Sequence, residues 1–142
     1  MTMSIEERAF IELLCAARAI TRALEGEVSV VEMLAMAILK TDKTRNMKSL
    51  SISLGLAPSS TTALVDRLVE SGHVERVVNP DNRRSIEVSL SPSGKKFFDE
   101  LVAKKREANT NLFADASAQE LAAFYKVLRT FNMKVAQQIF KD

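Results

Sequence analysis

Cysteine and histidine are scarce in this sequence, which holds one of each, Cys15 and His73, among 142 residues. One cysteine cannot form an internal disulfide, and there is no Cys/His cluster with the spacing of a zinc site. No apolar run approaches the roughly 18–20 residues that a membrane span needs, because Arg18 and Glu32 interrupt the two best candidates. The first residues are acidic, whereas a secretory signal is basic and then apolar. We therefore expect a cytoplasmic protein without a metal or a membrane partner.

Catalytic motifs are also missing from the sequence. There is no Gly-rich phosphate loop, no paired-carboxylate motif and no nucleophile beside a plausible base. His73 lacks the partners that a general base or a metal ligand requires, so we interpret it as a packing residue. An enzyme is the least favoured class, and no cofactor is expected. The 46% of residues that are hydrophobic suffice to bury the core of one domain.

The charge is distributed unevenly along the chain. Residues 1–39 carry three Arg and six Glu, whereas residues 40–106 carry thirteen Lys or Arg against eight Asp or Glu. Residues 107–142 carry four charges of each sign. The basic middle segment indicates a polyanionic partner, although an excess of this size is also compatible with an ordinary solvated surface.

Helix starts are marked by three Ser-x-x-Glu capping boxes, which begin at Ser4, Ser29 and Ser117. They predict helices over about 5–24 and 30–40 and a last helix after Ser117. The last helix has one strongly apolar face with a spacing of three and four residues. The residues of this face are Leu121, Phe124, Leu128, Phe131, Val135 and Ile139.

The middle of the chain mixes two periods. Residues 49–55 alternate with period two, which taken alone predicts a strand. Pro58 suits the first turn of a following helix, which ends near Gly72. The narrow apolar stripe of this helix consists of Leu64, Val65, Leu68 and Val69.

Two alternating segments, 74–78 and 86–90, come next and predict a β-hairpin. The turn-rich segment 79–85 between them places Arg83 and Arg84 at a charged tip. Ser91 and Pro92 then begin a helix. Its apolar residues are predicted to be Phe97, Phe98, Leu101 and, further along, Leu112 and Phe113.

This order of elements is that of a winged helix-turn-helix. A helix fits the major groove of DNA, and a basic hairpin tip reaches the neighbouring minor groove or the backbone. The fold class expected is mainly α with a small β-hairpin wing.

The sequence from Leu50 to Gly94 resembles the MarR family of bacterial transcription regulators. The resemblance rests on Leu50-Ser51, Leu54-Gly55-Leu56, Ser59 to Thr62, Leu64 to Leu68, Gly72, Val74-Glu75-Arg76, Pro80 to Ser85 and Leu90 to Gly94. It implies that residues 50–54 are helical, and that the chain is a single MarR-like domain over 1–142. The DNA-binding lobe would span about 41–94, and the dimerisation helices about 4–26 and 107–142.

Three positions depart from the family pattern. Asn82 stands where the wing usually has an Asp, and Arg84 is the arginine of that pattern. Asn offers an arginine a neutral bond in place of a charge-assisted one, so we expect a wing that is looser or is held by Asp81. Ala63 stands where a basic residue is common, and Thr61 replaces an aliphatic residue.

The resemblance and the buried stripe together place DNA contacts on the recognition helix and the wing. The predicted contacts are Ser59, Ser60, Thr62, Ala63, Arg67, Arg83, Arg84, Arg45 and Lys48. For Arg67 an intramolecular salt bridge, to Asp66 or Glu70, is an equal alternative. Arg45 and Lys48 are expected just ahead of the third helix, as phosphate contacts.

The family also implies a homodimer, with the apolar face of the last helix as interface, and regulation by a small phenolic or lipophilic effector. Met33, Met36 and Met47 could line its pocket or belong to the core. Cys15 is a candidate redox sensor, but we favour a buried, inert thiol. Two alternatives to a repressor released by an effector stay open: a redox-sensing regulator that uses Cys15, and a winged-helix protein-interaction module that does not bind DNA.

Overall fold

The computed structural model describes residues 2–108 and 112–139. In chain order the elements are α1 (Ile5–Leu24), α2 (Val30–Thr41), β1 (Arg45–Asn46), α3 (Met47–Leu54), α4 (Pro58–Glu70), β2 (Val74–Asn79), β3 (Asn82–Leu90), α5 (Pro92–Ala108) and α6 (Ala118–Ile139). The strands form one antiparallel sheet in the order β1-β3-β2. The predicted fold, mainly helical with a small β wing, is confirmed.

The predicted capping boxes fix the starts of three helices. At α2, Ser29 Oγ accepts a hydrogen bond from the Glu32 amide at 3.2 Å, and the Glu32 carboxylate accepts one from the Ser29 amide at 2.8 Å. Ser117 and Glu120 form the same pair of bonds at α6, and a third box begins α1. Each box satisfies backbone donors that the first helical turn leaves unpaired.

Helix α3 shows that the period-two pattern is misleading when taken alone. The strand that it predicts for residues 49–55 is wrong, and the helix that the family resemblance implies is confirmed. Asn46 caps the helix by accepting from the Ser49 amide at 2.8 Å, and Gly55 ends it with a positive φ of 64°. In a helix Leu50 and Leu54 share one face, which packs on the core.

The wing is a longer hairpin than the sequence predicts. Strands β2 and β3 pair from Val74 opposite Leu90 out to Asn79 opposite Asn82, with a register irregularity after Val78. The predicted seven-residue tip is therefore wrong, because β3 already begins at Asn82. Residues 83 and 84 lie in the strand beside the turn.

Strand β1 is absent from the sequence prediction. Its two residues, Arg45 and Asn46, pair with Val88 and Glu87 on the outer side of β3. A two-residue strand has no periodicity to detect, so only the folded sheet reveals it.

The hydrophobic core lies within the lobe formed by α2 to α5 and the sheet. Its buried side chains are Ala35, Met36, Leu39, Leu50, Leu64, Val65, Leu68, Val74, Val88, Leu90, Phe98 and Leu101. The predicted stripe of α4 is thus confirmed as core. Met36 belongs to the core, and Met33 and Met47 pack against it.

Helices α1 and α6 differ from the rest because neither contains a buried residue. They meet through Phe10 and Phe131, whose ring centroids are 6.4 Å apart. The prediction that Leu112 and Phe113 belong to α5 is wrong. Both residues lie exposed in turns ahead of α6.

Within the described ranges, no helix combines the length and apolar character needed to cross a membrane. The same residues contain no group of three or more Cys, His, Asp or Glu side chains placed to hold a metal ion.

Candidate nucleic-acid interface

Helix α4 has one face in the core and one in solvent. Thr61, Leu64, Val65 and Leu68 are buried, which fixes the rotation of the helix about its axis. The opposite face is therefore available to a partner. It carries the predicted contact residues Ser59, Ser60, Thr62, Ala63 and Arg67, all of which are exposed.

A buried pair of hydroxyl groups joins α3 to α4. Ser51 Oγ lies 2.8 Å from Thr61 Oγ1, which in turn donates to the carbonyl oxygen of Ala57 at 3.1 Å. The unusual Thr61 is thus explained, since an aliphatic residue there could not bond to Ser51. The pair connects the two helices of the helix-turn-helix.

We expect Thr61→Val to lower the free energy of unfolding by about 1 kcal/mol, the usual net contribution of one buried hydrogen bond. Valine keeps the shape, and Ser51 still reaches the Met47 carbonyl oxygen at 3.0 Å. Denaturant unfolding of T61V, of S51A and of the double variant measures this. If the effects of the two single substitutions simply add, the hydroxyl groups are not coupled.

Two ion pairs flank the second half of α4. Asp66 bonds to Arg76 on β2, and Arg67 Nε lies 3.4 Å from Glu32 Oε1 on α2. The sequence predicted Asp66 or Glu70 as the alternative partner of Arg67. Glu32 is 35 residues away in the chain, and no local pattern could have identified it.

The environment of Glu32 favours its charged form. Partial burial raises the pKa of this carboxyl, but the Ser29 amide and hydroxyl, together with Arg67, outweigh that effect, and the pKa falls below its usual value. Glu32 is therefore a carboxylate at neutral pH.

Asparagine side chains organise the tip of the wing. Asn79 Oδ1 accepts from the Asp81 amide at 2.9 Å, and Asn82 Oδ1 accepts from the Arg84 amide at 3.2 Å. These bonds are to the backbone, so they shape the turn without engaging an arginine side chain. Arg83 and Arg84 are both exposed, and neither guanidinium has an ion-pair partner among the residues that the structure describes.

A cleft of about 540 Å³ separates the lobe from α6. Its walls are apolar for the most part, with a few polar groups. The lining residues are Ile38, Thr41, Asp42, Arg45, Ile52, Ser53, Tyr125, Leu128, Arg129, Asn132, Met133 and Ala136. None of the three methionines proposed as pocket residues is among them.

Comparisons with known proteins agree with this geometry. A model of the MarR family matches residues 28–86, from just before α2 into β3. The uncharacterized HTH-type transcriptional regulator YsmB of Bacillus subtilis (strain 168) is 37% identical over 79 residues, which are 56% of this chain and 54% of that protein. The chain thus spans about half the length of this curated relative. The crystal structure of a MarR-family transcriptional regulator from Silicibacter pomeroyi is similar over 90% of each chain, with a TM-score of 0.76 and 26% identity. Residues 28–86 of this chain belong to the MarR family.

A more distant structural neighbour shares the fold alone. Bordetella bronchiseptica BpsR has a TM-score of 0.71 over 92% of this chain and 97% of its own, at 15% identity. Its structure is described as a mechanism for regulation of the DNA binding of BpsR by 6-hydroxynicotinic acid.

The two basic residues predicted just ahead of the third helix lie on either side of its start. Arg45 is in β1, where its guanidinium bonds to Asp42 at 2.5 Å and to the Ser53 hydroxyl, beside the cleft. Lys48 is not ahead of the third helix but in its first turn, and it is exposed.

The remaining candidates are Cys15 and His73. Cys15 is exposed on α1, so the expectation of a buried thiol is wrong for the single chain. His73 is a packing residue, as predicted: its ring stacks on Phe97 at 4.1 Å between centroids, and its Nδ1 lies 3.0 Å from Ser71 Oγ.

Proposed function

We propose that this protein is a cytoplasmic transcription regulator, acting as a repressor, that binds double-stranded DNA of a specific sequence. The observation that carries the proposal is the exposed polar face of α4 beside a wing with two exposed arginines. In that arrangement α4 is the recognition helix, which enters the major groove, while the wing reaches the minor groove or the backbone. An enzyme activity forms no part of this proposal.

The proposed contacts divide into two kinds. Ser59, Ser60 and Thr62 have short hydroxyl side chains for base edges or phosphates, and the Ala63 methyl suits a thymine methyl. The others are basic residues that neutralise phosphates, namely Lys48, Arg83 and Arg84. We leave Arg45 and Arg67 out of this contact surface because their guanidinium groups bond within the protein.

A homodimer is the proposed assembly. Helix α6 exposes about half or more of Phe124 and Ile139, and α1 exposes Phe10 and Leu14 to a similar degree. Apolar patches of this kind on a regulator are covered by a partner. The predicted interface of Leu121, Phe124, Leu128, Phe131, Val135 and Ile139 would supply that contact. Two copies would place two lobes, one from each chain, on the half-sites of a pseudo-palindrome.

We further propose that the cleft between the lobe and α6 holds a small lipophilic or phenolic effector. Its apolar walls suit such a body, and Arg129 has no ion-pair partner among the described residues. A ligand that touches both α6 and the lobe would alter the spacing of the two DNA-binding lobes. The regulation of BpsR by a small aromatic acid supports this interpretation by analogy.

A second candidate function is redox regulation through Cys15, and the exposure of this thiol favours it. Oxidation would act on α1, one of the two helices of the proposed interface. A Cys15→Ser variant that keeps its DNA affinity in peroxide, while the wild-type protein loses affinity, would establish this mechanism.

The decisive experiment is selection of duplexes from a random DNA pool, followed by titration of the selected duplex at several salt concentrations. We expect a pseudo-palindromic sequence, one dimer bound per duplex, and an affinity that falls steeply with salt as counterions are released. A folded dimer that enriches no sequence, with and without reductant, would instead favour a protein-interaction module.

A further inference from the structure

Glu32 uses both oxygens of its carboxylate for different elements. Oε2 accepts from the Ser29 amide at 2.8 Å, which caps α2, and Oε1 faces Arg67 Nε of α4 at 3.4 Å. The Glu32 side chain is only 18% exposed, whereas that of Arg67 is 59% exposed. One half-buried carboxylate therefore joins the start of α2 to the recognition helix.

Asp66, the residue before Arg67, connects α4 to the sheet through an ion pair with Arg76 of β2. Consecutive residues of an α-helix point about 100° apart, so these two pairs hold α4 from different directions at the same level. Both lie in its second half. Among the described residues, the first half, with Ser59, Ser60 and Thr62, makes no bond to another element apart from that of the buried Thr61 hydroxyl.

Moving Arg67 from Glu32 to a DNA phosphate would be unfavourable for the carboxylate left behind. Glu32 would keep its charge and lose one partner within a partly buried site, with the phosphates of the duplex as its new neighbours. With Arg67 in place the pair is neutral, and it places no net negative charge beside the recognition helix.

We propose that Arg67 is a positioning residue, which orients the recognition helix through Glu32, and not a residue that contacts DNA. This inference rests on the proposed function, because its effect is measured as affinity for DNA.

The test compares Arg67→Ala, Glu32→Gln and the double variant in titrations of the selected duplex at several salt concentrations. Glutamine keeps an oxygen for the Ser29 amide, so the capping box survives while the ion pair is lost. We expect each single variant to lose affinity about two- to fivefold, as for an exposed ion pair, and the double variant to lose no more than either one. The slope of log K against log salt should stay that of the wild type.

The matched control is Glu70→Gln, on the same helix. Glu70 is exposed and forms no ion pair within the described part of the chain, so E70Q removes one negative charge without removing a contact. It should bind DNA as well as the wild type or slightly better. The inference is overturned if R67A lowers the salt slope by about 0.9 per bound lobe, the share of one phosphate. It is also overturned if E32Q strengthens binding beyond E70Q, since a freed Arg67 would then be contacting DNA.

Thermal unfolding of the wild type, R67A, E32Q and the double variant, all without DNA, separates this inference from the proposed function. If the shifts in unfolding temperature caused by E32Q and R67A do not add in the double variant, the pair is coupled in the free protein. This result holds whether or not any duplex is selected. Additive effects would overturn the positioning role even if the protein binds DNA as proposed. Failure to select a duplex, with coupling intact, counts against the proposed function alone.

Discussion

Replacing both Arg83 and Arg84 with alanine is expected to weaken operator binding by about tenfold to a hundredfold at moderate salt, across all sequences alike. Both side chains are exposed beside the turn of a hairpin that extends from the lobe, and neither is neutralised by a carboxylate in the described structure. Two lost phosphate contacts would also lower the slope of log K against log salt by roughly 1.8 per bound lobe.

The double replacement Lys95→Ala and Lys96→Ala is the matched control. It removes the same charge from two exposed residues near the start of α5, which follows the end of β3 remote from the wing tip. A change in net charge alone would affect both double variants equally. If the wing variant loses no more affinity than this control, the assignment of the wing as a DNA contact is wrong.

Asn82, which stands where the family usually has an aspartate, affects the availability of the wing arginines to DNA. An aspartate there would attract a neighbouring arginine by charge, whereas the Asn82 amide oxygen accepts from the backbone amide of Arg84. The sequence raised the concern that a neutral residue would loosen the wing. In the structure Asn79 and Asn82 shape the turn through backbone bonds, and the guanidinium groups remain available to phosphates.

Local features of this fold could be predicted from the sequence because their causes are local. The capping box at Ser29 needs only Glu32 three residues later, and the apolar stripe from Leu64 to Val69 needs only helical spacing. The helical state of α3 could not be derived in that way. Leu50 and Leu54 become neighbours only after the helix has formed and the core of α2 and α4 covers them.

Features of the candidate site that depend on a single element could be predicted from the sequence. Contacts between two elements were missed. The exposed face of α4 follows from its own buried face. The partner of Arg67 does not, because Glu32 is brought to it by the packing of α2 beside α4. The same holds for Arg45, whose bonds to Asp42 and Ser53 depend on a two-residue strand, and for Cys15, whose exposure depends on what covers α1.

The second large effect is expected from Gly94→Ala, which should lower the free energy of unfolding by about 3 kcal/mol, the upper part of the usual range for overpacking. A Cβ atom at this position would lie 1.9 Å from the carbonyl oxygen of His73 and 2.7 Å from its carbonyl carbon. Both are backbone atoms just ahead of β2, so no side-chain rotation relieves the clash. A glycine is required here by the close approach of two chain segments.

Hydrogen bonds make that junction hard to shift. The His73 carbonyl oxygen accepts from the Ser91 amide at 3.0 Å, and Ser91 Oγ accepts from the Gly94 amide at 2.9 Å. Hydroxyl groups of Ser91 and Ser93 both donate to the Gly72 carbonyl oxygen. Moving the His73 carbonyl would strain these bonds together, and they attach the wing to α5.

Thermal unfolding measures the effect, and Gly26→Ala is its control. At Gly26 a Cβ would meet nothing closer than Lys105 Nζ at 3.6 Å, an ordinary contact. We expect G94A to unfold roughly 10 °C below the wild type and G26A to unfold close to it. Since the wing is anchored at this junction, a folded fraction of G94A should also bind the selected duplex more weakly. If G94A unfolds at the temperature of the wild type, the segments at Ser91 and His73 move apart at little cost, and the wing is not held rigidly by them.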